Sequence, residues 1–164
     1  MPTYPANRIE SQLNVPYERF TRAFESLLGR TDVDVFARLP AMPAEELHTR
    51  LQSVVGPLDF SLFQKIDHGG ILTALTPRHV RAMTYVFGNA LIAMTMTQHD
   101  PRAGLYVPLR LFVTEADAGV LVTYDLPSAL MAQFGNAAIT LVARDLDAKV
   151  ERLLRETEKK ARES

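Results

Sequence analysis

The stretch that most constrains the fold of this chain is Val80–Phe87, in which most residues are apolar or favour strands. Successive side chains of a strand point to opposite faces, so Val80 and Val86 lie on one face and Tyr85 and Phe87 on the other. A strand that is apolar on both faces is typically central in its sheet, unless one face meets a ligand or a partner. The chain must therefore supply neighbouring strands and a covering layer.

Other patterns predict those neighbours and that layer. Two runs with the two-residue period of a strand, Leu109–Glu115 and Val120–Tyr124, flank an Ala-Asp-Ala-Gly turn. This pattern predicts a hairpin. Apolar and polar residues also alternate over 9–15 and 60–67, which predicts two further strands. Apolar residues spaced by three and four predict amphipathic helices over 17–28 and 139–153. Adjacent strands with few crossovers favour an α+β fold, a two-layer antiparallel sheet packed against helices.

The apolar residues of these strands and helices predict a hydrophobic core, and the length of the chain predicts a single domain. With 164 residues and 47% hydrophobic content, the chain suits one domain over 1–164 with a sizeable core. We interpret 33–56 as an inserted segment with a short helix over Ala44–Val55, and 156–164 as a polar tail that frays. The expected core residues are Phe20, Phe24, Leu27, Leu111, Val113, Val122, Leu146 and Val150.

The composition excludes several classes of function. Cysteine is absent, which excludes disulfides, zinc–thiolate sites, iron–sulfur clusters, thiol catalysis and covalent haem attachment. The formal net charge of −1 gives no general attraction for nucleic acid. The first residues carry no apolar signal core, and no apolar run reaches membrane-spanning length. We therefore expect a cytoplasmic protein without nucleic-acid or membrane partners.

The candidate site residue is His68, in the sequence Ile66-Asp67-His68-Gly69-Gly70. Imidazole can bind a metal or haem, or act as a general base near neutral pH. The two glycines beside it, at the predicted end of a strand, allow a ligand or another backbone segment to approach closely. The alternative is a histidine that is hydrogen-bonded at a turn for structural reasons.

A second run of candidate ligands, Met94–His99, carries thioether and imidazole groups that suit a soft metal. On a helix, Met96 and His99 share a face while Met94 points nearly opposite, so the three side chains do not converge. On a strand, the two methionines share a face and His99 does not. We interpret the methionines as core packing and the histidine as a surface residue.

Four motifs resemble the domain-of-unknown-function 302 family. They are IDHGG at 66–70, YVFGN at 85–89, VPLR at 107–110 and VTYDLP at 122–127. The resemblance covers residues 7–154 and implies a TATA-binding-protein-like α+β fold, a curved antiparallel sheet on helices, often as a homodimer. It implies no activity. The family commonly has proline where this chain has Ala90, and Leu-Pro where this chain has Tyr106-Val107-Pro108.

The sequence leaves three functions open. The first is binding of a small or planar ligand, with haem as one candidate, and its site combines a ligating imidazole, an apolar wall and two cations. These residues are His68, Met83, Tyr85, Phe87, Arg81 and Arg110. The second is an enzyme with His68 as acid or base, although the sequence offers no second catalytic group. The third is a homodimeric interaction or scaffold module in which His68 is structural.

The homodimer follows from the two apolar faces of Val80–Phe87. In a two-layer domain, helices cover one face of the sheet, so a ligand, the helix over 44–55 or a second copy must cover the other. A twofold contact needs only one self-complementary surface, so we favour a second copy. This prediction places Met83, Tyr85 or Phe87 at the interface.

Overall fold

A six-stranded open sheet organises the part of the chain that the computed structural model describes, residues 3–31, 36 and 41–163. Its strands are β1 (Arg8–Leu13), β2 (Gly29–Arg30), β3 (Ser61–Asp67), β4 (Ala82–Gly88), β5 (Leu109–Ala116) and β6 (Gly119–Asp125). Their order across the sheet is β1-β6-β5-β4-β3-β2, so β4 has a neighbour on each side, as its two apolar faces predict. Neighbours are antiparallel except β2 and β3, a short parallel pair at one edge. The α+β fold class is confirmed, with that parallel pair added.

Helices form the second layer. They are α1 (Tyr17–Ser26), α2 (Ala44–Ser53), α3 (His68–Leu75), α4 (Ala90–Thr97), α5 (Pro127–Met131) and α6 (Ala137–Glu163). Short 3-10 helices, Pro101–Leu105 and Ala132–Phe134, follow α4 and α5. The long helix α6 packs against α1, α4 and α5. Of the helices described, none is both long enough and apolar enough to cross a membrane.

The ring of Phe24 shows how the two layers meet. It is fully buried on α1, with its centroid 5.0 Å from the ring of Tyr85 and 5.6 Å from the ring of Phe87. Such edge-on contacts combine large apolar burial with favourable ring geometry. We call the sheet surface beneath α1 and α6 the helix face. Its residues on the three central strands are Met83, Tyr85, Phe87, Leu109, Leu111, Val113, Val120 and Val122.

The structure bears out the predicted core in all but one position. The buried residues are Phe20, Phe24, Leu111, Val113, Val122, Leu146 and Val150. Leu27 is only partly buried, because α1 ends at Ser26 and Leu27 follows as its C-cap. All of these residues recur in the sequence at the spacing of a helix or of a strand, so the hydrophobic pattern alone predicts that they are buried.

The opposite surface of the sheet, which we call the open face, keeps its side chains partly exposed. The strand registers place Thr84 opposite Ile66 on β3 and opposite Phe112 on β5, and Phe112 opposite Thr123 on β6. These four side chains are intermediate in burial, whereas most of the helix face is buried. On β3 to β6 the open face includes Ile66, Ala82, Thr84, Val86, Arg110, Phe112, Thr114, Leu121 and Thr123, of which only Ala82 is buried.

The helix predicted over Ala44–Val55, in the segment that we interpret as an insertion, differs from its prediction in extent and position. Helix α2 ends at Ser53 instead of Val55, and none of its side chains is fully buried. It packs against α4, which itself contacts α6, so α2 lies beside the helical layer and does not supply a cover for the open face. Within this segment, residues 33–35 and 37–40 lie outside the described residues.

The C-terminal residues 156–163 continue α6 instead of fraying. Thr157 and Ala161 are fully buried, and the hydroxyl of Thr157 donates to the carbonyl of Leu153 at 2.7 Å. Together with Leu153 they prolong the inward stripe of α6 at four-residue spacing. Threonine and alanine give a weak hydrophobic signal, so the sequence pattern concealed this last part of the stripe.

Candidate functional site

His68 is the first residue of α3, directly after the last residue of β3. The local sequence explains this change of direction, because Asp67 is the N-cap and its carboxylate accepts from the backbone N–H of Gly70 at 2.7 Å. Gly69 fits against the backbone of Val80 and Arg81, where a Cβ would lie 2.3 Å from the Val80 carbonyl oxygen. The turn therefore requires a glycine at this position.

The imidazole of His68 lies on the open face of the sheet. Its Nε2 atom is 3.0 Å from the hydroxyl oxygen of Thr84, and its ring centroid is 5.9 Å from that of Phe112 in an edge-to-face arrangement. The residue is nevertheless exposed. His68 is thus held in position by two neighbours and accessible to a ligand.

A groove surrounds the exposed part of this histidine. It has a volume of about 560 Å³ and is lined by Arg8, Ile66, His68, Thr84, Arg110, Phe112, Thr123, Tyr124 and Asp125. At one side, Arg8 donates to Asp125 at 3.1 Å, which neutralises both charges. Arg110 is exposed, and its guanidinium has no hydrogen bond or ion pair with any residue in the described ranges. The groove therefore combines an aromatic ring, an accessible imidazole and an available guanidinium.

The prediction of an apolar wall beside His68 is wrong. Met83, Tyr85 and Phe87 lie on the helix face, on the other side of the sheet from the imidazole. The reason is the pleat of the strands, because Thr84, which contacts His68, is adjacent to Met83 and Tyr85 and so points the opposite way. Tyr85 and Phe87 are at most 1% exposed, so they serve the core and are not accessible for an interface either.

Tyr85 has a defined structural role on the helix face. Its hydroxyl donates to Glu25 at 2.9 Å, and the same carboxylate accepts from the ammonium group of Lys65 at 3.1 Å. Burial is the largest cause that raises the pKa of Tyr85, and the charge of Glu25 adds to it. Glu25 thus joins α1 to two strands of the sheet.

Arg81, the second predicted cation, lies just before β4 and not in the groove of His68. It forms ion pairs with Glu18 and Glu115, and its guanidinium lies 5.4 Å from the centroid of the Tyr17 ring. The hydrogen bond from Arg81 lowers the pKa of Glu115. Arg81 therefore joins α1 to β5, and of the six predicted site residues only His68 and Arg110 meet in one groove.

The residues that sequence reasoning missed are Thr84, Phe112 and Thr123. They belong to different strands, and only the register between those strands brings them to His68. One signal was available: Ile66 and His68 are two residues apart, so an extended chain places both on the same face. As for metals, the described residues contain no group of three histidine, aspartate or glutamate side chains that could hold an ion.

Comparison with known proteins decides the family. The family model described as domain of unknown function DUF302 matches residues 35–157, which is most of the chain. The chain belongs to the DUF302 family. A crystal structure of an uncharacterized conserved DUF302 protein from Bacillus stearothermophilus has a similar fold, with a TM-score of 0.64 and 10% sequence identity. That similarity covers 91% of this chain and 96% of the other, and among curated proteins no sequence matches significantly.

The motifs that resemble DUF302 occupy two places in this structure. IDHGG, VPLR and VTYDLP contribute His68, Arg110 and Thr123 to the groove on the open face. YVFGN ends β4 and begins α4, where the side chain of Asn89 accepts from the backbone N–H groups of Leu91 and Ile92. Three of the four DUF302-like motifs therefore converge on the groove, although they are far apart in the sequence.

Proposed function

We propose that this DUF302 protein binds a small planar ligand with an anionic group in the groove on the open face. The observation that carries the proposal is the position of Arg110, which lies two residues from Phe112 on β5 and has no partner among the described residues. Alternate residues of a strand share a face about 7 Å apart, the width of an aromatic ring. A ring that lies against Phe112 can therefore present its anionic group to Arg110.

Each groove residue contributes a different kind of contact. Guanidinium groups bind carboxylate or phosphate through two parallel hydrogen bonds. The ring of Phe112 offers apolar area and an edge or face for a second ring. His68 adds a nitrogen that can exchange hydrogen bonds, and its contact with Thr84 fixes the direction of the imidazole. Binding pockets commonly have this composition, an apolar surface with a few fixed polar groups.

Haem is a less favoured occupant than a small aromatic anion. The Nε2 atom of His68, the usual iron ligand, is within hydrogen-bond distance of Thr84 at 3.0 Å. The lining also contains Arg8 and Asp125 in place of the apolar wall that a haem ring needs. Catalysis by His68 is likewise less favoured, since Asp125, the acidic group of the groove, is already paired with Arg8.

Isothermal titration calorimetry with phenyl phosphate and with benzoate tests the proposal. Removing the charge with Arg110→Gln should weaken binding at least tenfold, because a hydrogen bond to a charged group contributes about 1.5–3 kcal/mol. Arg152→Gln is the matched control, since Arg152 is also an exposed arginine but lies on α6. Equal affinity of both variants, or no binding of either anion to the unmutated protein, would contradict the proposal.

A second candidate function is homodimerisation through the open face. The observation in its favour is that this face presents the partly buried apolar side chains Ile66, Val86, Phe112 and Leu121. Sedimentation equilibrium of Leu121→Lys separates the two candidates, because Leu121 lies on the open face but does not line the groove. A dimer that this variant dissociates supports the second candidate. A monomeric unmutated protein that binds phenyl phosphate supports the first.

A further inference from the structure

A second cavity lies where β4 leads into α4, at Gly88 and Asn89. Its volume is about 220 Å³, and it shares no lining residue with the groove of His68. Its described apolar lining includes Phe60, Phe63, Ile92, Met94, Met96 and Leu146. These side chains come from β3, α4, α6 and the segment before β3, so several elements of the fold enclose one space.

The polar groups around this cavity already have partners. The side-chain oxygen of Asn89 accepts from the backbone of Leu91 and Ile92, and its nitrogen donates to the carbonyl of Asp59 at 3.0 Å. The hydroxyl of Thr97 donates to the carbonyl of Met94. None of the described lining residues is charged. A buried water needs two to four polar partners, so this cavity is a poor site for water.

The cavity also has an apolar mouth. Met94 is 49% exposed and Phe36 is 37% exposed, although both are large hydrophobic side chains. The ring of Phe36 lies 5.8 Å from that of Phe63, so the rim joins the interior without a polar interruption. Exposed apolar side chains beside a concave apolar surface are typical of an entrance for a ligand.

We propose that this cavity binds a small uncharged hydrophobic molecule of the size of one substituted aromatic ring. An apolar cavity of about 150 Å³ stays dry and holds benzene, so 220 Å³ is enough for a ring with a short substituent. The atoms that line an empty space lack contacts on one side, and an apolar guest restores those contacts. A charged guest would lose its hydration without gaining an ionic partner.

Methionine methyl NMR with toluene as the probe tests the proposal on the unmutated protein. Met94 and Met96 line the cavity, whereas Met83 and Met131 lie elsewhere in the fold and serve as internal controls. Toluene should shift the methyl signals of Met94 and Met96 in a saturable manner and leave the two controls unchanged. Benzoate, the charged counterpart, should leave all four signals unchanged. No shift with toluene, or equal shifts at all four residues, would overturn the proposal.

A variant that fills the space gives a second test. Ala93 faces the cavity from α4, so Ala93→Phe should reduce toluene affinity at least tenfold by occupying its place. Ala138→Phe adds the same ring at an exposed position of α6 and should bind toluene as the unmutated protein does. Unchanged toluene affinity in Ala93→Phe would overturn the proposal, and the methyl shifts of the unmutated protein decide the matter if this variant does not fold.

Discussion

On β4, Tyr85 and Phe87 point towards α1 and are buried, whereas Thr84 and Val86 point away from it and stay partly exposed. The polar groups on the two faces also differ, in whether their side chains have partners within the protein. The hydroxyl of Tyr85 is bound to Glu25, while Arg110 on the open face has no partner among the described residues. Satisfied groups stabilise a fold, and available groups can recognise a ligand. One face of β4 therefore supports the core, and we propose that the groove on its other face recognises a ligand.

The largest expected effect compares one phenylalanine from each face. Phe24→Ala should lower the free energy of unfolding by about 3–5 kcal/mol, the usual cost of emptying a buried aromatic site. Phe112→Ala should cost about 1 kcal/mol, because its ring is only partly buried. Urea denaturation measures both values. Equal losses would mean that the two faces contribute equally to stability.

The next effect concerns the hydrogen bond on the helix face. Tyr85→Phe keeps the ring but removes the hydroxyl that donates to Glu25, so we expect a loss of about 1–2 kcal/mol. Tyr124→Phe is the control, because no hydrogen bond from its hydroxyl is seen in the described part of the chain, and it should change stability by less than about 0.5 kcal/mol. Thermal unfolding followed by circular dichroism compares the stability of the two variants. If Tyr85→Phe is as stable as the unmutated protein, the contact with Glu25 contributes little.

The same tyrosine predicts a dependence on pH. Burial and Glu25 raise the pKa of Tyr85 above its ordinary value of 10.0, so the folded protein holds this proton more tightly than the unfolded chain. Its contribution to stability is complete below pH 10.0 and declines as the pH rises further, by up to about 1.4 kcal/mol per pH unit. Burial also raises the pKa of Tyr17 and of Tyr124, which add to the decline. Urea unfolding on both sides of this pH should show a shallower decline in Tyr85→Phe, and identical curves would contradict the assignment.

A smaller effect is expected where β3 passes into α3. Asp67→Ala removes the N-cap that accepts from the backbone of Gly70, so stability should fall by about 1 kcal/mol. Asp67→Asn keeps a capping oxygen and should fall within a few tenths of the unmutated protein. Because His68 follows this cap directly, the alanine variant should move the NMR signals of the imidazole more than the asparagine variant does. Unmoved signals would mean that Thr84 and Phe112 hold the ring alone.

The smallest effect on stability is expected on the open face itself. Arg110→Gln should change the free energy of unfolding by less than about 0.5 kcal/mol, because the guanidinium is exposed and has no partner in the described ranges. The same substitution should weaken phenyl phosphate binding at least tenfold. A clear loss of stability would show that Arg110 belongs to the structural contacts and would weaken the comparison of the two faces.

Much of the fold was predictable because local periodicity determines it. The hairpin of β5 and β6, the central place of β4 and the stripe around Phe24 all repeat at two or at three to four residues. The end of α6 was not predictable in this way, since Thr157 and Ala161 are small and carry little hydrophobic signal. The short pair of β2 and β3 was also missed, because two residues of parallel strand have no period to detect.

The site was predictable only in part, for a different reason. His68 and Arg110 were candidates because of their chemistry and their motifs, and they do line one groove. Their neighbours depend on the registers between β3, β4 and β5, which no local pattern in the sequence encodes. The alternation of β4 was correctly predicted, but His68 was assigned to the face of Tyr85 when the register assigns it to the face of Thr84.

The central claim is that the open face recognises a ligand while the helix face supports the fold. The most direct measurement is the map of backbone and aromatic NMR shifts on addition of phenyl phosphate. We expect shifts at His68, Arg110 and Phe112, with Phe24 and Tyr85 unchanged. Shifts concentrated at Phe24 and Tyr85, or none at the groove when the anion is in large excess, would contradict the claim.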